Sequence, residues 1–323
     1  MKIVDNSQFI WAEKYRPRTL DDVILDTNTK AKMRSFLAEG RFPHTLFSST
    51  NPGLGKTSLV TAIINDLDAD VKFINGSQDR GIDTFKVSVK EFVTSVSIDD
   101  SPKIVVIDEA DGLTKDAQKI LRGLIEEFSK HSTFILTCNY KEQLIEPLRN
   151  RFIHFDFDNI YNQNKKEIGL QVFERLQFIL DNENVHYDKG ALTPVVSNMY
   201  PSVRKMVLVL QQSIDNGNLV LNDSMINLGS KIAEILALVK DKKFIDIRKR
   251  LQDLDDPASL YTYIFKNLDE WFEPQSQPQV VLLCAKYQDM NENARDKAIC
   301  SAAFTVELMG TPSIVFKDSK TTI

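Results

Sequence analysis

The chain has 323 residues, 42% of them hydrophobic, and 40 Lys and Arg stand against 45 Asp and Glu for a formal net charge of −5. That length suits two or three domains with real cores, and the acidic balance excludes binding of nucleic acid through a global positive field, so any such contact must come from a local basic patch. No stretch approaches the ~18–20 apolar residues of a membrane span. The first residues lack the apolar core of a signal peptide, and Cys138, Cys284 and Cys300 show no C-x-x-C spacing, so the sequence reads as a reduced, cytoplasmic protein.

The segment Trp11-Ala12-Glu13-Lys14-Tyr15-Arg16-Pro17 comes first. It runs into a proline and is predicted extended rather than helical. Trp11, Tyr15 and Arg16 bring aromatic and cationic groups suited to stacking on an adenine; an arm packed on the core is the other reading. An amphipathic helix is predicted over residues 29–38, ended by Gly40.

Thr50-Asn51-Pro52-Gly53-Leu54-Gly55-Lys56-Thr57 then lies between an apolar run, residues 45–47, and a helix-like run that opens with Ser58. Strand, loop and helix in that order are the context of a phosphate-binding loop. Gly53 and Gly55 let backbone N–H groups turn toward an anion, and the following helix adds its positive end. Lys56 is expected to reach the β- and γ-phosphates and the Thr57 hydroxyl to hold Mg²⁺. The first glycine of the G-x-x-x-x-G-K-T pattern is missing, because Thr50 stands there.

Strands are predicted at 71–75 and 103–107, with a polar loop over 76–83 and a helix to about 97 between them. The third strand is almost continuously apolar, as a strand covered on both faces should be. It ends in Asp108-Glu109-Ala110-Asp111, at the edge where open α/β sheets bind ligands. Asp108 is expected to coordinate Mg²⁺, directly or through water, and Glu109 to polarise the attacking water. A helix over 114–128 follows, with Thr114 as N-cap, then a strand over 133–137 ending at Cys138-Asn139. Asn139 either holds a water or γ-phosphate or simply forms a turn. After Glu146-Pro147-Leu148-Arg149-Asn150-Arg151 a fifth strand is predicted at 152–155. The alternation from 44 to 156 predicts βαβ units and a parallel sheet.

Residues 162–216 read as helical, with Ser202 capping a helix that carries Arg204 and Lys205 in its first turn. Two cations there oppose the helix dipole, which points to an anion nearby or to a solvated pair. Asp215-Asn216-Gly217-Asn218 breaks the pattern. Helices are then predicted at 231–240, 244–254, 258–268, 279–290 and 294–309, a region without chemical motifs that suits assembly, and the tail after Gly310 is expected to be poorly ordered.

Taken together, these motifs resemble the clamp-loader branch of the AAA+ ATPases. The matching pieces are the Trp11–Pro17 arm, Pro52-Gly53-x-Gly55-Lys56-Thr57, Gln78-Asp79-Arg80-Gly81-Ile82-Asp83, Asp108-Glu109-Ala110-Asp111, Thr137-x-Asn139, Pro147-Leu148-Arg149-Asn150-Arg151 and Pro201-Ser202-Val203-Arg204-Lys205. Segment order and spacing are most like the large, ATPase subunit of T-even-type bacteriophage loaders, then the replication factor C small subunits. The motifs cover residues 10–215; the rest matches in length and helical character.

The resemblance implies an α/β P-loop domain with a five-stranded parallel sheet at 1–160, a helical lid at 161–228 and an all-helical collar at 229–323. It implies ATP as substrate and Mg²⁺ as cofactor. Residues 51–58, that is Asn51, Pro52, Gly53, Leu54, Gly55, Lys56, Thr57 and Ser58, would bind nucleotide, with Trp11, Tyr15, Arg16 and Arg204. Glu109 and Lys56 would act in catalysis, Asn139 as the first sensor, Arg204 as the second, and Thr57 and Asp108 on the metal. Arg151 would be an arginine finger serving a neighbouring subunit, although the family's Ser-Arg-Cys reads Asn150-Arg151-Phe152 here. Arg122 is either a second trans cation or a surface residue. Arg80 and Lys86 would touch DNA phosphates or belong to a solvated loop. Val87, Phe92 and Val93 would anchor on the clamp or form a core face.

The implied partners are a sliding clamp, primer–template DNA read without sequence preference, copies of the chain and one different loader subunit, in the host cytoplasm for a phage-encoded chain. Two other readings stay open. One is a non-hydrolysing structural subunit; the other is a DNA-translocating motor of the branch-migration type.

Overall fold

The structure is a computed structural model that describes residues 7–77, 82–95, 101–221, 228–254, 256–292 and 294–317. The chain separates into two compact units, Met1–Leu221 and Asn222–Ile323.

In the first unit the order is α1 (Trp11–Lys14), α2 (Thr27–Ala38), β1 (Thr45–Ser48), α3 (Lys56–Asp66), β2 (Asp70–Asn75), α4 (Ile82–Thr94), β3 (Lys103–Asp108), α5 (Lys115–Phe128), β4 (Ser132–Cys138), α6 (Glu146–Arg149) and β5 (Ile153–Asp156). Then come α7 (Phe157–Gln163), α8 (Lys165–Asn182), α9 (Leu192–Met199), α10 (Val203–Gln212) and a hairpin of β6 (Ile214–Asp215) and β7 (Asn218–Leu219). The five long strands form one sheet in the order β2-β3-β4-β1-β5, parallel throughout.

The unbroken apolar run of β3 follows from that layering. Ile104 and Val106 join a core with residues of α2, α3 and α8–α10, whereas Val105 and Ile107 join one with residues of α4 and α5. Burying each such side chain contributes about 1.5–3 kcal/mol, so the strand tolerates no polar interruption. Leu176 and Leu210 share the first of these cores with Phe47 and Ile63, so the helices after residue 164 and the sheet are compacted by one apolar cluster.

The strand order sets the site. β4 pairs with β1 on one side and β3 on the other, with Ser48 opposite Cys138 and Ile107 opposite Leu136. The ends of these strands therefore deliver the residues after Ser48, Ile107 and Cys138 to one edge.

Two local expectations are corrected in this unit. Residues 11–14 form a helical turn, with the Tyr15 N–H donating to the Trp11 carbonyl at 2.9 Å. Pro17 restricts only Arg16, so the turn before it is free to close. Ser202 sits at the N-cap of α10 without capping it; its hydroxyl donates to the Pro52 carbonyl at 3.2 Å.

The second unit comprises α11 (Leu228–Lys240), α12 (Phe244–Gln252), α13 (Ser259–Lys266), α14 (Leu268–Trp271), α15 (Gln277–Glu292) and α16 (Lys297–Gly310) around their own apolar core. The tail after Gly310 is placed through Lys317, against the expectation. Phe316 bridges to Phe272, and Ile314 is buried in the same cluster. Apolar residues at 314 and 316 anchor a segment whose position in the sequence suggested fraying. Residues 318–323 lie outside the described residues.

Candidate nucleotide site

Gly55 caps α3 in the left-handed region (φ 94°), which turns the chain so that α3 starts at Lys56 facing the loop. Gly53 also has positive φ (82°), and a Cβ there would lie 2.8 Å from the Ser202 hydroxyl. The loop and the start of α10 meet at that point, where the Arg204 N–H faces the Gly53 carbonyl at 3.5 Å. Glycine is required at 53 for two independent reasons, backbone conformation and clearance.

A polar pocket opens above the loop, lined by residues 52–58, Asp108, Glu109, Thr137, Cys138, Asn139 and Arg204. The Lys56 ammonium donates to the Ser49 carbonyl at 3.2 Å and to Asn139 Oδ1 at 3.0 Å. Burial lowers its pKa, against the opposing pull of nearby carboxylates including Asp158, Asp111 and Asp108. An anion arriving in this pocket meets a cation that has already lost much of its water. Asn139 is itself fixed, because Asp111 Oδ2 accepts the N–H groups of Asn139 and Tyr140, each at 3.0 Å. Burial pushes the Cys138 thiol up to about 12, so this lining residue is no nucleophile at neutral pH.

Asp108 Oδ1 accepts from the Thr57 hydroxyl at 3.0 Å and from the Thr137 hydroxyl. One carboxylate and one hydroxyl on adjacent positions are the oxygen donors Mg²⁺ uses when it keeps waters and takes phosphate oxygens for its remaining places. Among the described residues there is no cluster of three His, Cys, Asp or Glu that suggests a softer or all-protein metal site. Glu109 lines the same pocket in the left-handed region (φ 54°), a conformation that costs a non-glycine residue about 1–3 kcal/mol. Its neighbours hold it there. The Glu109 N–H donates to Thr137 Oγ1 at 3.2 Å, the Gly112 N–H donates to the Glu109 carbonyl at 2.9 Å, and Gly76 comes so close that a Cβ there would lie 2.5 Å from that carbonyl.

A second, more apolar pocket shares Gly53, Leu54, Gly55, Ser58 and Arg204 with the first. Its other walls include Trp11, Tyr15, Arg16, Val23, Ile24, Tyr161, Arg175, Ile179, Val203 and Val207. An apolar chamber opening onto a polar one across a glycine loop fits a nucleotide, base in one and phosphates in the other. The arm is not a free platform, however. Trp11 and Tyr15 are 7% and 4% exposed. The Trp11 N–H donates to Gln211 Oε1, and the Tyr15 hydroxyl donates to Glu183 Oε1 at 2.6 Å. Burial first, then Glu183, raises the Tyr15 pKa, so the phenol stays protonated. Arg16 turns to Glu13 at 3.3 Å. These side chains wall the chamber while bolting α1 to α8 and α10.

Among the described residues, the remaining candidate cations, Arg204 apart, lie outside both pockets. Arg204 is exposed beside the loop and lines both pockets. Arg151 stands in the turn between α6 and β5, paired with Glu126 of α5 and the Pro147 carbonyl. Arg122 is half-buried on α5, with an Nε that has no partner. Lys86 is exposed on α4, and Arg80 with residues 78–81 lies outside the described residues. Val87 is 54% exposed whereas Val93 is buried and Phe92 packs against the core, so the three do not share one face.

Sequence reasoning missed three residues. Asp158 accepts from Ser49, Thr50 and Asn51; Tyr161 donates to the Leu54 carbonyl at 2.9 Å; Asp111 braces Asn139. The one signal for Asp158 was the hydroxyl of Thr50 where glycine was expected.

A family model described as "ATPase family associated with various cellular activities (AAA)" matches residues 46–159, which span the sheet and its loops. The replication factor C small subunit of Sulfurisphaera tokodaii is 36% identical over 257 residues, 76% of each chain. That of Methanococcus maripaludis is 32% identical over 255 residues, 76% of this chain and 78% of the relative. Among solved structures, a point mutant of Thermotoga maritima RuvB gives a TM-score of 0.55 at 18% identity, covering 84% of this chain and 94% of that one. RuvB described as a Holliday junction branch migration motor gives 0.52 at 18%, covering 81% and 93%. At that identity the likeness shows the fold alone. The sequence relatives carry more: this chain belongs to the replication factor C small subunit family of AAA ATPases.

Proposed function

We propose that this ATPase is a motor subunit of a sliding-clamp loader, using ATP binding and hydrolysis to open a clamp and release it on primer–template DNA. The observation that carries the reading is the convergence of Lys56, Thr57, Asp108, Glu109 and Asn139 on one pocket of a chain related to replication factor C small subunits. Lys56 binds the β- and γ-phosphates, and the N–H groups of residues 53–58 cradle them. Thr57 and Asp108 would hold Mg²⁺, which when bound would neutralise charge on the phosphate oxygens. Glu109 positions and polarises the attacking water, and Asn139 bridges from Lys56 to the γ-phosphate side. The phosphoryl transition state is loose, so positioning and charge do most of the work.

Arg204 reports nucleotide from the lid side, and Arg151 leaves Glu126 to reach the γ-phosphate of a neighbouring subunit. Residues 161–228 act as the lid and 229–323 as the collar of a ring shared with further copies and one different subunit. Lys86 and the Arg80 loop contribute salt-sensitive, sequence-independent DNA contacts.

The test is steady-state ATPase activity of wild type and Arg151→Ala with the partner subunit, with and without clamp and primer–template DNA. Joint stimulation by clamp and DNA, lost in Arg151→Ala while ATP binding persists, is expected. Stimulation by DNA but not by clamp would favour the branch-migration reading. ATP binding without turnover in every mixture would favour the structural subunit.

A further inference from the structure

We propose that Asp158 is a positioning residue for nucleotide binding, an anchor on α7 that holds the phosphate loop in shape where Thr50 replaces the usual glycine. This rests on the reading of the pocket as a nucleotide site.

Both oxygens of Asp158 are engaged by consecutive residues of the loop. Oδ2 accepts the Thr50 N–H at 2.6 Å and the Thr50 hydroxyl at 2.8 Å. Oδ1 accepts Asn51 Nδ2 at 2.8 Å and the Ser49 hydroxyl at 3.1 Å. Hydrogen bonds to an ionised acceptor are roughly twice as strong as neutral ones. Burial alone would raise the carboxyl pKa, but the donors of Asn51, Thr50 and Ser49 outweigh it and hold the group below the usual carboxylate range. Asp158 is therefore an anion at neutral pH.

The grip extends to the catalytic lysine. The Ser49 hydroxyl shares its single proton between Asp158 and the nearer Asn51 carbonyl at 2.7 Å, and the Ser49 carbonyl accepts from Lys56. One turn along α7, Tyr161 donates to the Leu54 carbonyl, so one helix face holds the loop at both ends. Phe157, the first residue of α7, fixes that helix, buried edge-on against Phe47 of β1 at 5.9 Å between ring centroids. The loop is thus ordered before its ligand arrives, and binding need not bear that cost. A glycine at 50 would offer the N–H but not the hydroxyl; threonine gives Asp158 a second donor.

The test is the dissociation constant of the full chain for a fluorescent ATP analogue with Mg²⁺. Wild type, Asp158→Ala, Thr50→Val and the double variant are compared, with melting temperatures alongside. Asp158→Ala is expected to weaken binding about tenfold. Thr50→Val is expected to weaken it about threefold in wild type and to change nothing further in the Asp158→Ala background, because its hydroxyl then has no carboxylate to hold. If Asp158→Ala does not fold, Asp158→Asn takes its place, and Thr50→Val is then expected to cost less in that background than in wild type, because a neutral amide oxygen is a weaker acceptor than a carboxylate. Equal losses from Thr50→Val in both backgrounds, or unchanged affinity in Asp158→Ala, overturn the proposal while leaving the nucleotide site standing. A wild type that binds no ATP overturns both.

Discussion

The phosphate pocket and the arginine edge are built on opposite principles. In the pocket, Lys56 is tied to Asn139 and both Thr57 and Thr137 to Asp108, while Asp111 braces Asn139, Asp158 holds the start of the loop and Gly76 makes room for Glu109. At the edge, Arg151 is held by Glu126, whose side chain is 50% exposed, and by one carbonyl of its own turn. Groups in a partly dehydrated cleft gain from being fixed in advance, since charge interactions there are strong and need no rearrangement on binding. A surface ion pair contributes only about 0–1 kcal/mol. An arginine held by such a pair loses little on leaving it, which is what the role proposed for Arg151 requires.

That contrast is open to attack at several points. The largest expected effect is Arg151→Ala in the assembled complex, a loss of about 10³–10⁵ in turnover with nucleotide affinity retained. Glu126→Ala, which removes only the parking partner, should leave turnover within about threefold and stability within about 1 kcal/mol. If Glu126→Ala were as damaging as Arg151→Ala, the pair would be structural and the contrast would fail. Glu109→Gln comes next, with turnover lower by about 10²–10⁴ and ATP binding intact, read by single-turnover hydrolysis beside equilibrium binding.

Gly76→Ala sharpens the pocket side. A methyl group 2.5 Å from the Glu109 carbonyl must displace the strained turn, so a loss of about 1–3 kcal/mol in chemical denaturation is expected, with turnover falling further than affinity. The smallest effect is a pH dependence. Nδ1 of His44 accepts the Phe134 N–H at 3.0 Å, and burial lowers its pKa. Its stabilising contribution is complete above the unfolded value of about 6.5 and is lost as pH falls through the lower folded value. Melting curves between pH 7.5 and 5 should show this decline, and His44→Asn, which keeps an acceptor without the titration, should reduce it to the share of His154, whose pKa burial also lowers.

Much of the first unit was legible because its signals are local. The apolar period of β3, the glycines at 53 and 55 and the Asp108-Glu109 strand end each state their own role within a few residues. The arm was misread because Pro17 was allowed to speak for residues 11–14, whose turn closes independently. Residues 311–317 were misread because position near the end of the chain outweighed Ile314 and Phe316, whose packing depends on a distant core.

By itself, then, the sequence determined that a strand, a phosphate loop and a helix are followed by a carboxylate at a buried strand end, since period and turn chemistry act between near neighbours. Only the tertiary structure decided that β5 lies beside β1, which brings Asp158 from 108 residues away onto Thr50. Strand order is set by non-local packing, and a carboxylate that becomes an anchor only through that order has no local pattern to announce it.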